Sequence, residues 1–545
     1  MPVVILGKVI NPLHSMMTLG MISYEDFGWL TIIPPLLAIG LAIATHQVIL
    51  ALLIGCLAGL FIMHGMDLTA LGAAFLNFPG EVLPDVLTNT SHISIIIFSL
   101  LISGMVALVS KNGGITGVVS FFRKFVDSIK KANLMTGLFG LFIFFDDYAN
   151  TLLVGNSMRS VVDRFKISRE KLAYIVDSVA APLAAIALVT TWIGAQLGYV
   201  ESALIQTGIE KGGYQVFLSS LSYAFYPFFA LFLVFLVILS GRDFGPMVRF
   251  EEKARVEEGT SNNWDNDEGK FNEQPNKSLN AVLPILVLIG GVLGGLFYTG
   301  YMAADTFPDF TFWNAALIMG EGDSYQALLW ASFFSFVVAG IQSWLNSPMT
   351  LSGITEEAIK GFNSITGAIL ILTLAWSLSE ISRELGTATY LAESLKDTVP
   401  YYLFPLATFL LSAIVAFATG SSWGTMAIIY PLFLPFSYEL AIGAGAGQEE
   451  ALVIFYQVVA AVLGGSVFGD HCSPLSDTTI LSSMSSGCDH MDHVNSQLPY
   501  ALVGGVVSLI TGYGVTMFFP ELWWLGFLAG FAIMGVFLLQ YGKKV

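Results

Sequence analysis

Long apolar stretches recur along the whole sequence and constrain its fold more than any other feature. They lie near residues 29–45, 48–66, 93–110, 220–240, 279–300, 325–346, 500–519 and 523–541. Each is long enough, or nearly so, to cross about 30 Å of hydrocarbon at about 1.5 Å per residue. Only 12% of the residues are charged, whereas a soluble protein carries about 25%. The sequence therefore predicts an all-α polytopic membrane protein, embedded in the lipid bilayer of the cell membrane.

Four further apolar regions, 134–162, 171–199, 403–436 and 450–487, are interrupted by polar clusters. The clusters read DDYANT, VDSVAAPL, TGSSWGT and GDHCSPLSDTT. Pro182 and Pro474 each remove a backbone donor and are expected to break a helix. Irregular backbone at membrane depth needs surrounding protein or a water-filled cavity. We therefore expect broken helices or re-entrant hairpins in these four regions.

A polar segment, 242–278, divides the chain into an N-terminal half, 1–241, and a C-terminal half, 279–545. Its mixed charge predicts a flexible linker. The two halves share an order of features, in which an apolar stretch is followed by two interrupted regions. In both halves the second interrupted region carries an aspartate shortly before a Pro-Leu pair. This order predicts an internal repeat, whose first copy begins near residue 93.

The distribution of basic residues predicts that the two repeats have opposite orientations. The connection 159–171 has basic residues at positions 159, 164, 166, 169 and 171, whereas its counterpart 437–450 has no lysine or arginine. Basic residues in short loops mark the cytoplasmic side. We therefore expect 159–171 and 242–278 to be cytoplasmic and 437–450 to be external. Inverted repeats with discontinuous helices are the architecture of many secondary transporters.

Two adjacent aspartates, Asp146 and Asp147, directly follow an uncharged apolar stretch. A carboxylate inside a membrane costs about 3 kcal/mol or more, so it needs a partner or a function. Neighbouring side chains on a helix point about 100° apart, so one carboxylate could face a cation while the other caps a helix. Alternatively, both are helix caps at the interface. Asn150, Thr151 and Asn156 follow and offer the neutral oxygen ligands that sodium prefers.

Asp177 has apolar neighbours on both sides in the stretch AYIVDSVAAPLAAIALVTTW. A surface position is hard to reconcile with these neighbours, so Asp177 is a candidate ion ligand. The alternative is a buried salt bridge between helices.

The densest polar cluster in any apolar region is GDHCSPLSDTT. It contributes the candidate ion or substrate ligands Asp470, Ser473, Ser476, Asp477 and Thr478, while TGSSWGT contributes Ser421, Ser422 and Thr425. We expect sodium in the region of Asp177 and Asp470, and no transition metal.

Three histidines in this part of the chain have two interpretations each. His471 could be proton-linked, because the imidazole titrates near neutral pH, or it could be a hydrogen-bonded structural residue. His490 and His493 have a spacing that could hold a metal, although a polar turn is the favoured interpretation.

Two stretches, GDHCSPLSDTT and CDHMDHVNSQLPYAL, resemble the NhaC family of sodium/proton antiporters. The stretch from FFDDYANT to VDSVAAP is also similar to members of this family, and the resemblance extends over residues 30–540. It implies a member of the ion transporter superfamily, with inverted repeats that each contain a re-entrant hairpin and a broken helix. It also implies an elevator-type transporter, which in some members works on a dimeric scaffold, so a homodimer is expected as one possibility.

Two functions fit these features. In the first, Na+/H+ antiport, Asp177, Asp470 or Asp477 binds sodium when ionised and a proton otherwise. In the second, sodium drives a small organic solute such as an amino acid or a carboxylate; the resemblance implies malate/lactate exchange as one example. An enzyme is not expected, because Ser473 and His471 are two residues apart and would face different directions on a helix. The net charge of −17 argues against nucleic acid as a partner, and no cofactor beyond Na+ is expected.

Overall fold

The protein is almost entirely helical in its computed structural model, which describes residues 27–123, 125–256, 277–303, 318–319 and 322–545. Within these ranges, nine helical stretches are long and apolar enough to cross a membrane. Three more spans result if each of three bent helix pairs counts as one span, with bends of 43°, 55° and 41°. The predicted all-α polytopic fold is confirmed.

The helices before residue 257 include the first four of the eight predicted apolar stretches. They are α1 (Ile33–Thr45), α2 (Val48–Met63), α3 (Leu68–Asn77), α4 (Leu83–Thr88), α5 (Thr90–Lys111), α6 (Gly114–Arg123), α7 (Ile129–Phe142), α8 (Asp147–Arg164), α9 (Arg169–Ile186), α10 (Thr191–Thr207), α11 (Gly213–Ser220), α12 (Phe225–Ser240) and α13 (Met247–Val256). A two-residue strand, β1 (Arg242–Asp243), lies between α12 and α13.

The helices after residue 276 include the other four predicted apolar stretches. They are α14 (Leu279–Ala303), α15 (Ser324–Asn346), α16 (Leu351–Ser364), α17 (Thr366–Glu384), α18 (Thr387–Leu395), α19 (Phe404–Thr419), α20 (Ser422–Gly443), α21 (Gln448–Cys472), α22 (Asp477–Ser486), α23 (His490–Val507), α24 (Gly514–Thr516) and α25 (Trp523–Tyr541). The chain ends in strand β2 (Lys543–Lys544), which pairs antiparallel with β1.

The predicted flexible linker is folded in its first part. Strand β1 pairs with the C-terminal strand, and α13 packs against α9. Asp243 forms a buried ion pair with Lys171 of α9 at 2.5 Å, and Glu251 of α13 accepts a 2.7 Å bond from the Ser168 hydroxyl. Residues 242–256 are therefore fixed to the helical body, because these polar groups satisfy one another away from water. Residues 257–276 of the predicted linker lie outside the described residues.

All four interrupted regions contain a helix break, at 143–146, 187–190, 420–421 and 473–476. Pro474 lies inside the last of these breaks, as predicted. Pro182 does not mark a break, because α9 continues for another turn and ends at Ile186. A proline removes only one intrahelical bond, and the helix closes normally with the amide of Ala187 donating to the Leu183 carbonyl at 2.9 Å.

Helices α19 and α21 pack very closely, which brings two breaks together. A β-carbon at Gly465 would lie 2.4 Å from the carbonyl oxygen of Phe409, and one at Gly469 would lie 2.2 Å from that of Ala413. Small residues allow this backbone approach within a membrane. Because α19 ends at Thr419 and α21 at Cys472, the breaks that follow them meet at one place.

Candidate functional site

The breaks meet in pairs, and the same backbone bond joins each pair. In the N-terminal half, the amide of Thr191 donates to the Phe145 carbonyl at 3.0 Å. In the C-terminal half, the amide of Asp477 donates to the Gly420 carbonyl at 3.3 Å. In both cases the acceptor immediately precedes a helix N-cap, and the donor is the first residue of a helix. The two halves therefore build one local arrangement twice.

Gly420 makes the second contact possible. Its φ of +68° lies in the left-handed region, where a residue without a β-carbon is favoured. A β-carbon there would also lie 2.3 Å from the carbonyl oxygen of Leu475. The TGSSWGT break thus needs glycine for both its conformation and its contact with the GDHCSPLSDTT break.

Asp177 is completely buried in the middle of α9 and accepts three side-chain hydrogen bonds. Ser482 donates to Oδ1 at 2.9 Å, and Thr479 donates to Oδ2 at 3.1 Å. The Gln497 amide donates to Oδ2 at 2.6 Å. The buried salt bridge considered as an alternative is wrong, since hydroxyl and amide donors take the place of a cation. Asp177 instead connects α9 to α22 and α23.

Asp470 and Asp477 flank the break between α21 and α22. The Thr478 hydroxyl donates to Oδ2 of Asp470 at 2.6 Å, while the buried Oδ1 of Asp470 has no partner. Asp477 accepts a hydrogen bond from the Tyr148 hydroxyl of α8 and one from the Thr478 amide at 2.9 Å. Ser476 caps α22 by accepting from the Thr479 amide, which fixes the start of this helix next to both carboxylates.

The two adjacent aspartates at the start of α8 have different environments. Asp146 caps α8 by accepting from the Ala149 amide at 2.8 Å, and it accepts a bond from the Thr191 hydroxyl at 3.2 Å. Asp147 is buried, and neither of its carboxylate oxygens accepts a hydrogen bond of normal geometry, although the indole N–H of Trp192 approaches it as a donor. The interpretation of both residues as interface caps is therefore wrong for Asp147. Asp477 lies within electrostatic range of Asp147 and of Asp470.

Asn150 and Thr151 are also buried beside the break. The Asn150 amide donates to the carbonyls of Gly140 and Ile143 at 2.7 and 3.0 Å, so it satisfies the end of α7. Its oxygen and the Thr151 hydroxyl have no partner. Asn156 is exposed and donates to the Leu152 carbonyl of its own helix, and its role as an ion ligand stays a prediction.

The other predicted polar residues support the breaks themselves. Ser473 donates to the Phe417 carbonyl at 2.7 Å, Ser421 caps α20, and Ser422 donates to the Ser466 carbonyl at 3.2 Å. Thr425 donates to the Ser421 carbonyl at 2.9 Å. These hydroxyls hold backbone in place, and each already has a partner.

The imidazole of His471 is hydrogen-bonded and fully buried. Its Nδ1 lies 2.9 Å from the Tyr226 hydroxyl, whereas its Nε2 has no partner. Glu380 and Arg383 form a local ion pair on α17. No group of three metal-ligating side chains occurs within the described residues.

Three side chains of this site were not predicted, namely Tyr148, Ser482 and Gln497. Ser482 lies about one helical turn after Thr478 and Thr479, so the helical period could have placed it on their face. Gln497 lies four residues after His493 and therefore on the same face of α23. No local pattern indicated Tyr148 as a residue of this site, because its partner Asp477 is distant in the sequence.

None of the ion pairs between described residues involves an aspartate of this site, that is Asp146, Asp147, Asp177, Asp470 or Asp477. Buried carboxylates are normally paired or hydrogen-bonded, or they bind a cation or a proton. Asp147 and Asp470 together leave three buried carboxylate oxygens without a partner. This arrangement suits the binding of a small cation or a proton.

A sequence model of the Na+/H+ antiporter family matches residues 183–517 of the chain, which include the breaks at 187–190, 420–421 and 473–476. The chain belongs to the Na+/H+ antiporter family. It is accordingly a multi-pass membrane protein of an antiporter-type transporter family.

Relatives support this assignment. A Haemophilus influenzae protein of uncharacterised function is 33% identical over 529 residues, which are 95% of each chain. The arginine/ornithine antiporter ArcD of Halobacterium salinarum is 32% identical over 200 residues, which are 36% of this chain and 38% of the relative. The crystal structure of the YdaH transporter from Alcanivorax borkumensis superposes with a TM-score of 0.54 at 14% identity. The superposition covers 89% of this chain and 98% of the YdaH chain, so the two proteins share the fold.

Proposed function

We propose that this family member is a sodium-coupled antiporter that exchanges Na+ for H+ at the buried carboxylates around the break between α21 and α22. The observation that carries the proposal is the set of unpartnered carboxylate oxygens of Asp470 and Asp147. Sodium prefers hard oxygen ligands, and the same oxygens take up a proton when sodium is absent.

Asp470 and Asp477 are the proposed centre of the ion site. Asp470 has a free oxygen, and Asp477 approaches it from the other side of the break. The Thr478 hydroxyl donates to Asp470 and can turn its lone pairs to a cation when that bond is released. Asp147 approaches from α8 and adds negative charge.

Asp177 has a different proposed role from the one expected for a sodium ligand. Its two oxygens already accept three hydrogen bonds, and such bonds stabilise the ionised carboxylate. We therefore assign to Asp177 a fixed negative charge that attracts the cation and holds α22 in register.

The proposed exchange results from competition between Na+ and H+ for the carboxylate of Asp470. One sodium ion or one proton compensates the negative charge of Asp470, and a second cation at the same oxygens would be repelled. The loaded site then alternates between the two membrane faces. The repeated backbone bond at Phe145 and Gly420 supports an inverted-repeat architecture for this movement. An elevator movement on a dimeric scaffold stays a prediction.

The proposal is tested by transport in proteoliposomes. An imposed sodium gradient should change the internal pH reported by a trapped dye, and choline in place of sodium should not. Asp470→Asn should abolish the signal, whereas Glu356→Gln, at an exposed carboxylate, should leave it intact. Equal pH changes with sodium and with choline would refute sodium coupling.

A second function, the sodium-driven exchange of a small organic solute, is favoured by one observation. The relative named for arginine/ornithine antiport is 32% identical over 200 residues. The same vesicles should therefore be tested with labelled arginine, ornithine, malate and lactate. Uptake of a labelled solute without a sodium-driven pH change would favour this function over Na+/H+ exchange.

A further inference from the structure

Two histidines share one serine hydroxyl beside the carboxylate site. The Nδ1 atom of His493 lies 2.9 Å from the Ser483 hydroxyl, and the Nδ1 atom of His490 lies 3.1 Å from the same hydroxyl. Ser483 also donates to the Thr479 carbonyl at 2.8 Å. We call His490, Ser483 and His493 the His–Ser–His cluster. The proposed Na+/H+ exchange assigns no role to it.

The opposite nitrogen of each imidazole faces an acceptor, which fixes the tautomers. His490 Nε2 lies 2.8 Å from the Pro474 carbonyl, so it carries a proton. His493 Nε2 lies 3.0 Å from the oxygen of Gln497. The Gln497 amide donates its two hydrogens to Asp177 and to the His471 carbonyl, so its oxygen is an acceptor and His493 Nε2 also carries a proton.

The cluster therefore has fewer hydrogens than its contacts require. With both imidazoles neutral, the serine hydroxyl supplies a single hydrogen for three contacts, namely the Thr479 carbonyl and the two Nδ1 atoms. A hydroxyl has one hydrogen and two lone pairs. Protonation of either Nδ1 creates one further hydrogen bond to the hydroxyl, so the geometry accommodates added protons.

The cluster is connected to both the ion site and the protein surface. Gln497 accepts from His493 and donates to Asp177 at 2.6 Å, which places the imidazole two hydrogen bonds from that carboxylate. His493 is completely buried, whereas His490 is half-buried. A proton can therefore reach the cluster from the side of His490, and its charge acts on Asp177 from the side of His493.

The charged surroundings offset a positive charge on the cluster. The ionisable groups near it on α8, α9, α21 and α23 and in the loop before α23 are Asp163, Glu170, Asp177, Asp489, Asp492, Arg159, Arg169, His471 and Cys488. Five of these are carboxylates and two are guanidinium groups, which gives a formal balance of −3 with the imidazole and the thiol neutral.

We propose that the His–Ser–His cluster is a proton-binding site, separate from the carboxylates, whose charge opposes sodium binding through Gln497 and Asp177. The inference rests on the proposed Na+/H+ exchange. A proton from water binds to an imidazole Nδ1 when the ion site is empty. When sodium binds, the imidazolium is destabilised by the added positive charge, and the proton returns to water. Gln497 acts here as a positioning residue.

The first test counts protons. Sodium is added to the purified protein in weakly buffered detergent solution near pH 7, and a dye reports the protons released per sodium bound. His493→Gln and Ser483→Ala should each release about 0.5 proton fewer than the unmodified protein, and the pH dependence of sodium affinity should become shallower. His64→Gln, at a histidine bonded to Leu60 and Asn77 on a distant helix pair, should release the unmodified number.

A second measurement detects the protonation of His493 directly in the unmodified protein by nuclear magnetic resonance. With histidine labelled at the ring carbon, the resonance that disappears in His493→Gln should move toward the neutral imidazole position when sodium is added at constant pH. If His493→Gln does not fold, Ser483→Ala keeps both histidines and carries the proton count.

The outcomes separate the two proposals. Sodium binding with an unchanged proton count in both variants, or an unmoved His493 resonance, overturns the role of the cluster and leaves the carboxylate site standing. A protein that binds no sodium at any pH overturns both. A reduced proton count with sodium binding retained supports the cluster as a proton site.

Discussion

Asp177→Asn should lower stability and retain part of the sodium binding, whereas Asp470→Asn should leave stability nearly unchanged and lose sodium binding, although both residues are buried aspartates. Asp470 accepts one bond from Thr478 and leaves its other oxygen without a partner. Asp177 accepts three bonds, from Thr479, Ser482 and Gln497. The difference between the two sites is the number of donors that already compensate the carboxylate.

The magnitudes follow from this difference. A hydrogen bond to a charged group contributes about 1.5–3 kcal/mol. Asparagine at 177 keeps one acceptor oxygen and points an amide at groups that donate, so Asp177→Asn should lower the free energy of unfolding by about 2–4 kcal/mol. Asparagine at 470 can keep the bond from Thr478, and it matches the size and neutrality of the protonated carboxyl group that the proposal places there when sodium is absent. Asp470→Asn should therefore lie within about 1 kcal/mol of the unmodified protein when sodium is absent.

Sodium should separate the two variants further. A ligand at one hundred times its dissociation constant stabilises the native state by about 2.7 kcal/mol. The unmodified protein should gain this stabilisation, and Asp470→Asn should lose it. Asp177→Asn should retain part of it, since its carboxylate acts through charge and position and does not contact the ion directly.

The assay is thermal unfolding in detergent, in sodium chloride and in choline chloride at equal ionic strength, with Glu356→Gln as an exposed control. Full sodium stabilisation of Asp470→Asn would show that the ion lies elsewhere. An Asp177→Asn variant as stable as the unmodified protein would refute the argument from hydrogen bonds.

Three further changes test the elements around the site. Lys171→Met leaves Asp243 buried without its cation, so the free energy of unfolding should fall by about 3–5 kcal/mol, and limited proteolysis should cut the region near 242–256 sooner. Gly420→Ala puts a β-carbon 2.3 Å from the Leu475 carbonyl, so transport should be lost even where the protein is still inserted in the membrane; normal transport would contradict this. Tyr148→Phe removes the hydroxyl that donates to the Asp477 carboxylate of α22. The apparent sodium affinity of this variant should change while its maximal transport rate is retained, as measured by sodium titration in proteoliposomes.

The helices and their breaks could be predicted from the sequence, because they depend on local patterns. Apolar length indicates a span, and polar residues inside an apolar region indicate a break. The position of Asn156 could also have been predicted. On a helix with about 3.6 residues per turn, it lies on the face opposite to Asp147, whereas Thr151 lies on nearly the same face.

The partners of the carboxylates could not be predicted, because they come from distant parts of the chain. Asp177 is joined to Ser482 across 305 residues and to Gln497 across 320. Such pairings are set by how α9, α22 and α23 pack, and no local period reports them. For the same reason Pro182 was misleading, since tertiary packing around α9 lets the helix continue past it.

The bonds between the halves limit how the protein can move. Tyr148 and Asp177 belong to the N-terminal half, and their partners Asp477, Thr479 and Ser482 belong to the C-terminal half. Separating α8 and α9 from α22 would strip donors from two buried carboxylates, and an uncompensated buried charge costs about 3–5 kcal/mol. The site is therefore expected to stay intact during transport. Access from each side then has to change through movement of the elements that surround α8, α9 and α22, or through movement of these helices together.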